Sequence, residues 1–309
     1  GAVTVTYSDI QGGYAGTGNI NSDPLFVGAG SDNFRLTETS PCLDSGTATG
    51  APSTDILGAG RPWGVGYDIG AYEYTGLSSL AWSTYMGGDD ADESKDIAVD
   101  ASGYSYVTGS TSSPGWASGG WQTTYGGGAS DAFVMKLCPS GAHVWSTYIG
   151  GAGTDQGNRI SVDSSGNCYV AGSTSSSGWV SGGWQTSYGG GTSDGFVVKL
   201  NSSGVPLWST YLGGTNVDNG FDIDVDSSGE CLITGQTASS GWVSGGWQTT
   251  YLGGNLDGFV VKLNTNGGHV WSTYLGGNDE DHSMGIATDA SGNIYAAGFT
   301  QSSGWVSGG

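Results

Sequence analysis

Apolar residues in this chain come in short runs, separated by clusters of Gly, Ser, Asn and Asp. One stretch shows the pattern. Phe196-Val197-Val198-Lys199-Leu200 is followed by Asn201-Ser202-Ser203-Gly204, then by Leu207-Trp208-Ser209-Thr210-Tyr211-Leu212. After a Gly-Gly loop come Phe221 to Val225, the tetrapeptide Asp226-Ser227-Ser228-Gly229, and Cys231 to Thr234. Short runs rich in β-branched and aromatic residues, bounded by turn formers, predict strands. Asn or Asp opening each tetrapeptide and Gly closing it predict a type I turn ending in a left-handed Gly, which closes a tight hairpin. The long Gly/Ser/Trp segment from Gly235 to Gly254 is expected to return the chain to the next unit. Apolar residues on both faces of the strands predict sheets packed face to face with neighbours.

The pattern repeats. Trp-Ser-Thr-Tyr begins at Trp82, Trp145, Trp208 and Trp271, always 63 residues apart and without insertions. Four antiparallel strands per unit, in tandem, predict an all-β fold of four-stranded blades, a β-propeller. A β-solenoid fits less well, because its rungs are shorter than this period. Units beginning at Trp82, Phe133, Phe196 and Phe259 supply about fifteen strands, or nearly four blades. The first unit lacks its Phe-Val-Val-Lys-Leu strand, and Gly309 falls inside the long segment, so the array is expected to be incomplete.

The units Asp-Gly-Phe-Val-Val-Lys-Leu, Trp-Ser-Thr-Tyr-Leu-Gly-Gly and Val-Asp-Ser-Ser-Gly-Asn resemble the bacterial SBBP β-propeller repeat family from about Ser79 to Gly309. That resemblance implies a large secreted or surface protein without an assigned reaction. Residues 1 to 76 lack the repeat. Their Thr6-Tyr7-Ser8-Asp9-Ile10, Ser22-Asp23-Pro24-Leu25-Phe26, Ser40-Pro41-Cys42-Leu43-Asp44-Ser45-Gly46 and Asp68-Ile69-Gly70-Ala71-Tyr72-Glu73-Tyr74 resemble the C-terminal end of a pectate-lyase-like right-handed parallel β-helix. Val3-Thr4-Val5-Thr6-Tyr7 would then belong to a last rung, with most rungs upstream. Two domains are expected, a β-helix end and cap at 1–76 and a propeller at 77–309. The rungs that carry catalytic groups in such β-helices are not in this sequence, so no catalytic residue is carried over.

Composition narrows the partners. With 28 acidic against 7 basic residues the formal net charge is −21, which disfavours nucleic acid and anionic membrane surfaces. No apolar run approaches the roughly 18 residues of a membrane span. The acidity suits a cation-rich exterior or simply solubility; an extracellular or cell-surface location is what the SBBP resemblance implies. Cys42, Cys138, Cys168 and Cys231 form no CxxC pair. They read as small buried hydrophobes rather than zinc ligands or a disulfide between adjacent units.

Aspartate recurs at three places. Asp131, Asp194 and Asp257 precede a strand. Asp92, Asp155, Asp218 and Asp281 follow each Gly-Gly pair. Asp100, Asp163, Asp226 and Asp289 open a hairpin turn. Loop and turn capping explains such positions. In the second set, Asp89, Asp90 and Asp92 at one loop and Asp279 and Asp281 at another offer the hard oxygen ligands of calcium; Asp155 and Asp218 stand in loops poorer in acid. Calcium is therefore a candidate cofactor. The aromatic sets Trp116, Trp121, Tyr125, then Trp179, Trp184, Tyr188, then Trp242, Trp247, Tyr251, and finally Trp305, either fill gaps between blades or stack on sugar faces. Lys136, Lys199 and Lys262 are expected to pair with the recurring acids or to face solvent. His143 and His269 occupy one place in two units where the intervening unit has Pro206, which argues against a catalytic base. The expected function is a non-enzymatic extracellular or cell-surface binding module for a polysaccharide or surface protein. A structural scaffold that self-associates through open strand edges, and an accessory part of a carbohydrate-active β-helix enzyme, are the alternatives.

Overall fold

The computed structural model describes residues 6–9, 15–28, 33–56, 60–62, 65–71 and 82–305. The chain divides into two compact units, Gly1–Ala81 and Trp82–Gly309. No helix occurs among the described residues, and none is long and apolar enough to cross a membrane.

The first unit holds a small antiparallel pair, β1 (Phe26–Gly28) and β2 (Asn33–Leu36). Asp9 and Ile20 form an isolated parallel bridge. Leu36, Cys42, Asp55 and Asp68 are buried. Of the expected last rung, Val3 to Val5 lie outside the described residues, as do Tyr72 to Tyr74. The expected parallel β-helix end is not shown by these elements.

The second unit contains three four-stranded antiparallel sheets and one two-stranded sheet. Blade 1 comprises β3 (Asp92–Val99), β4 (Ser105–Thr111), β5 (Asp131–Leu137) and β6 (His143–Ile149). Blade 2 comprises β7 (Asp155–Val162), β8 (Cys168–Thr174), β9 (Asp194–Leu200) and β10 (Pro206–Leu212). Blade 3 comprises β11 (Asp218–Val225), β12 (Cys231–Thr237), β13 (Asp257–Leu263) and β14 (His269–Leu275). The half blade that follows has β15 (Asp281–Thr288) and β16 (Ile294–Thr300). Each strand extends the sequence-predicted run by one to three residues at one end or the other.

The hairpins form as the turn residues dictate. In blade 2 the Gly166 amide donates to the Asp163 carbonyl at 2.9 Å, and the Asp163 carboxylate accepts from the Ser165 and Asn167 amides. Gly166 sits at φ +75°, a conformation that favours glycine.

The phase of the blades differs from the sequence reading. The long Gly/Ser/Trp segment does not link blades. It joins the second strand to the third inside one sheet, where β12 pairs with β13 from Cys231↔Leu263 to Thr237↔Asp257. The short Gly-Gly loop is the link between sheets. The long segment instead runs beside the outermost strand. The Ser146 amide donates to the Ser118 carbonyl at 2.7 Å and the Tyr148 amide to the Gln122 carbonyl at 2.8 Å, an arrangement repeated in blades 2 and 3. It thereby covers the edge that would otherwise be open to strand pairing. Among the described residues the outcome is three and a half blades. Trp82-Ser-Thr-Tyr forms no strand among the described residues, and Tyr85 is fully exposed while its counterparts Tyr148, Tyr211 and Tyr274 are buried.

Apolar cores lie between consecutive sheets. Tyr106, Val134 and Trp145 of blade 1 pack with Ile160, Cys168, Val170, Phe196 and Leu200 of blade 2. Tyr169, Val197 and Trp208 of blade 2 meet Ile223, Ile233, Phe259 and Val261 of blade 3 in the same way. Every first strand carries a bulge at one place, around Lys95, Asn158, Phe221 and Met284. Such bulges re-aim side chains. Lys95 Nζ reaches Gln156 Oε1 at 3.1 Å, and Asn158 Nδ2 donates to the Gly220 carbonyl at 2.7 Å, so neighbouring first strands are tied together.

Candidate functional site

The recurring polar and aromatic residues gather where one blade hands over to the next. Each aspartate after a Gly-Gly pair closes its loop. Asp155 accepts from the Gly151 amide at 2.9 Å, from Ser176 Oγ at 2.8 Å and from Thr174 Oγ1. Asp92 has the same partners in Gly88, Ser113 and Thr111, Asp218 in Gly214, Ser239 and Thr237, and Asp281 in Gly277, Ser302 and Thr300. The acceptor capacity of these carboxylates is thus largely taken by the protein's own donors. Asp89, Asp90 and Asp279 are exposed on their loops, and their carboxylates do not join that clamp. Among the described residues no group of three or more His, Cys, Asp or Glu side chains is placed to hold a metal. Sequence reading missed the partners of the clamp. Thr111, Thr174, Thr237 and Thr300, each two residues before Ser113, Ser176, Ser239 and Ser302, recur with the same period and were the available signal.

Asp131, Asp194 and Asp257 are fully buried. Asp131 Oδ2 accepts from the Gly126 amide at 2.6 Å, and Asp194 Oδ2 from Gly189 at 2.6 Å. Asp131 Oδ1, Asp194 Oδ1 and both carboxylate oxygens of Asp257 have no partner. Burial pushes each of the three up to about 7, and the neighbouring Asp155, Asp218 and Asp281 add to that rise. The hairpin aspartates behave as caps, and two of them also meet lysines. Lys199 Nζ stands 3.9 Å from Asp163, and Lys262 pairs with Glu230 at 2.8 Å and Asp226 at 4.0 Å. Lys136 is buried over the Tyr104 and Tyr106 rings and donates to the Ser202 carbonyl of blade 2 at 3.1 Å.

The aromatic sets separate into three roles. Trp116, Trp179 and Trp242 stand edge-on to Phe133, Phe196 and Phe259 at 5.2, 5.2 and 5.1 Å, and their indole N–H groups donate to Thr111, Thr174 and Thr237. Tyr125, Tyr188 and Tyr251 stand edge-on to Tyr148, Tyr211 and Tyr274 and donate to the carbonyls of Gly128, Gly191 and Gly254. Trp121 and Trp184 are partly buried against the core that faces the next blade. Trp184 stacks on His269 of blade 3 at 4.1 Å. Trp247, their counterpart in blade 3, is 63% exposed and lies 6.3 Å from Trp305. Cys168 and Cys231 are buried and unpaired, with burial pushing both thiols up to about 12.

Comparison with known proteins gives three likenesses. The family described as "SBBP: Beta-propeller repeat" matches residues 81–115, 144–178 and 270–304. An uncharacterized WD repeat-containing protein of Acanthamoeba polyphaga mimivirus is 29% identical over 133 residues, covering 35% of this chain and 10% of its own length. The chain thus spans about a tenth of that relative. A crystal structure of a protein of unknown function from Bacteroides caccae is similar at 13% identity and a TM-score of 0.26, over 59% of this chain and 67% of its own. Each family match runs from an outer-strand position across the Gly-Gly loop into the first two strands of the following sheet. Repeats, sheets and matched segments agree: the chain is a β-propeller repeat protein.

Proposed function

We propose that the blade array is a non-enzymatic binding and scaffolding module that works outside the cell. The observation that carries this reading is the commitment of the recurring chemistry to the frame. Asp92, Asp155, Asp218 and Asp281 clamp loops, and Trp116, Trp179 and Trp242 pack on buried phenylalanines. A repeat that devotes its carboxylates and most of its rings to holding sheets together supports the stiff presentation of surfaces. The acidity of the chain favours an exterior setting. Incubation of the purified protein with a panel of plant and bacterial polysaccharides tests the reading. No turnover is expected, and hydrolysis or lyase cleavage of any of them would overturn it.

A sugar-binding version has one specific support. Trp247 presents an exposed ring, and with Trp271 it walls an apolar groove of about 440 Å³. Rings of this kind stack on sugar faces. If that version holds, Trp247→Ala abolishes retention on the bound polysaccharide while leaving the fold intact. Retention by the variant equal to that of the parent would remove it.

A further inference from the structure

Buried carboxylates meet in pairs where one described sheet hands over to the next. Asp131 opens β5, the third strand of blade 1, and Asp155 opens β7, the first strand of blade 2. Asp194 and Asp218 stand in the same relation, as do Asp257 and Asp281. The backbone holds each pair together. The amides of Asp155, Asp218 and Asp281 donate at 2.8 Å to the carbonyls of Ser130, Ser193 and Leu256, the residues just before the partner aspartates. All of these aspartates are fully buried except Asp281, which is 1% exposed.

One member of each pair is short of donors. Asp155, Asp218 and Asp281 hold loop amides and hydroxyls. Beside them, Asp131 Oδ1, Asp194 Oδ1 and both oxygens of Asp257 are sealed from water and accept nothing. These are four of the six buried side-chain atoms without a partner among the described residues, and they recur at one place in the repeat. None of the described ion pairs reaches any of the paired aspartates. A buried carboxylate without a counter-charge or donor is expensive, and a second carboxylate beside it raises the cost. The glycine loops add oxygen atoms to the same place. A Cβ built on Gly276 would meet Asp281 Oδ2 at 2.6 Å and Asp257 Oδ1 at 2.8 Å, so both carboxylates face one point. One built on Gly126 would run into the Gly151 carbonyl and stand 3.2 Å from Asp131 Oδ2. One built on Gly189 would run into the Gly214 carbonyl.

We propose that each pair, Asp131 with Asp155, Asp194 with Asp218 and Asp257 with Asp281, binds one calcium ion between consecutive sheets. Two carboxylates balance the charge of a divalent cation. A donor set made only of oxygen suits a hard ion. The adaptable shell of calcium accepts carboxylates, glycine carbonyls and water together, whereas magnesium demands a near-ideal octahedron. The ion ties the third strand of one sheet to the first strand of the next, so its binding stiffens the array. This site is separate from the exposed loop acids Asp89, Asp90 and Asp279.

The test uses the whole chain, stripped with EDTA, dialysed into metal-free buffer at pH 8 and supplied with calcium chloride. Equilibrium dialysis is expected to show one ion per pair, with dissociation constants of roughly 10⁻⁴–10⁻³ M, the range of extracellular modules. At about 5 mM calcium the Tm should rise by about 5 °C or more, and magnesium should give less than half of that shift. Asp194→Asn should remove one of the bound ions. A variant combining Asp89→Ser, Asp90→Ser and Asp279→Ser should bind calcium as the parent does. The parent's own titration decides the matter even if Asp194→Asn does not fold. Absence of bound calcium, or a magnesium shift equal to that of calcium, would overturn the site. Loss of calcium binding in the exposed-loop variant would overturn it as well. Each of these results leaves the binding and scaffolding reading standing, since only polysaccharide turnover removes that.

Discussion

Trp145 of blade 1 lies against the backbone of Gly204 in blade 2, so close that a Cβ built on Gly204 would come within 2.8 Å of the indole. The same indole donates its N–H to the Ser202 carbonyl at 3.1 Å. Trp208 repeats the pair with Gly267 and Thr265, and Trp82 with Gly141 and Pro139. Two demands therefore fall on Gly204, a φ of +77° and room for a ring. Gly204→Ala should cost about 2–3 kcal/mol, of which about 1 is backbone strain and the rest displacement of the indole. Gly292 has φ +81° and nothing within 4 Å of its Cβ position, so Gly292→Ala should cost only about 1 kcal/mol. Urea unfolding of the two variants measures the difference.

Removing the loop clamp should be expensive where it is buried. Asp155→Ala leaves the Gly151 amide and the Thr174 and Ser176 hydroxyls without their acceptor, at a cost of about 3–5 kcal/mol. Asp92 makes the same bonds in a more exposed loop, where water replaces the carboxylate, so Asp92→Ala should cost about 1 kcal/mol. Chemical denaturation of both variants checks the ratio.

Stability should fall as pH rises from about 4 to about 7. Asp131, Asp194 and Asp257 hold their protons to about 7 in the folded protein, whereas an unfolded aspartate ionises near the usual value of about 3.9. The folded state binds more protons between those limits, so each group favours folding fully below about 4 and loses that contribution by the time pH passes 7. The melting temperature is expected to be higher at pH 5 than at pH 8. The triple variant Asp131→Asn, Asp194→Asn, Asp257→Asn should flatten that dependence, which a pH series of thermal melts would show.

Equivalent tryptophans should differ by their place in the array. Trp184→Ala removes a ring packed on His269 and near Trp242, and should cost about 3 kcal/mol. Trp247→Ala removes an exposed ring and should cost less than about 1 kcal/mol. Thermal melts of the two single variants decide it.

The thiols should react in two classes. Cys138 lies at a partly exposed turn, and its hydrogen bond to Ser140 holds the thiol below the usual value, whereas Cys168 and Cys231 are sealed between blades. Iodoacetamide is expected to label Cys138 in the native protein and the other two only after unfolding, as peptide mass mapping would report.

Strands and hairpin turns were legible because their signals are local: Asp-x-x-Gly closes a turn by bonds within four residues, and Phe-x-Val-x-Leu marks a two-faced strand. The phase of the blades was not. Strands 231–237 and 257–263 pair across nineteen intervening residues, while strands 206–212 and 218–225, joined by five, belong to different sheets. Loop length argues for the opposite assignment. What reverses it is that the long segment lies beside the outer strand, through bonds such as the Ser209 amide to the Ser181 carbonyl, which no local pattern announces. The roles of the aspartates were half legible. Capping follows from residue type, but the Thr and Ser donors lie 19 and 21 residues downstream of Asp155 and meet it only when the first two strands pair. The exposure of Trp247 was not legible at all, because its sequence surroundings match those of Trp184; what distinguishes them is that Trp184 is covered by blade 3, whereas only two strands follow Trp247's blade among the described residues.

The straddling of sheets by the repeat has a consequence for how such an array can change length. An outer strand and the first strand of the next sheet are neighbours in sequence, so no repeat owns a whole blade. Excising residues 145–207, or any other window of 63 within the array, would splice a strand onto its own equivalent and regenerate complete sheets on both sides of the scar. Recombination between copies therefore needs no preferred breakpoint, and the array can shrink or grow by whole periods while every seam keeps the same chemistry.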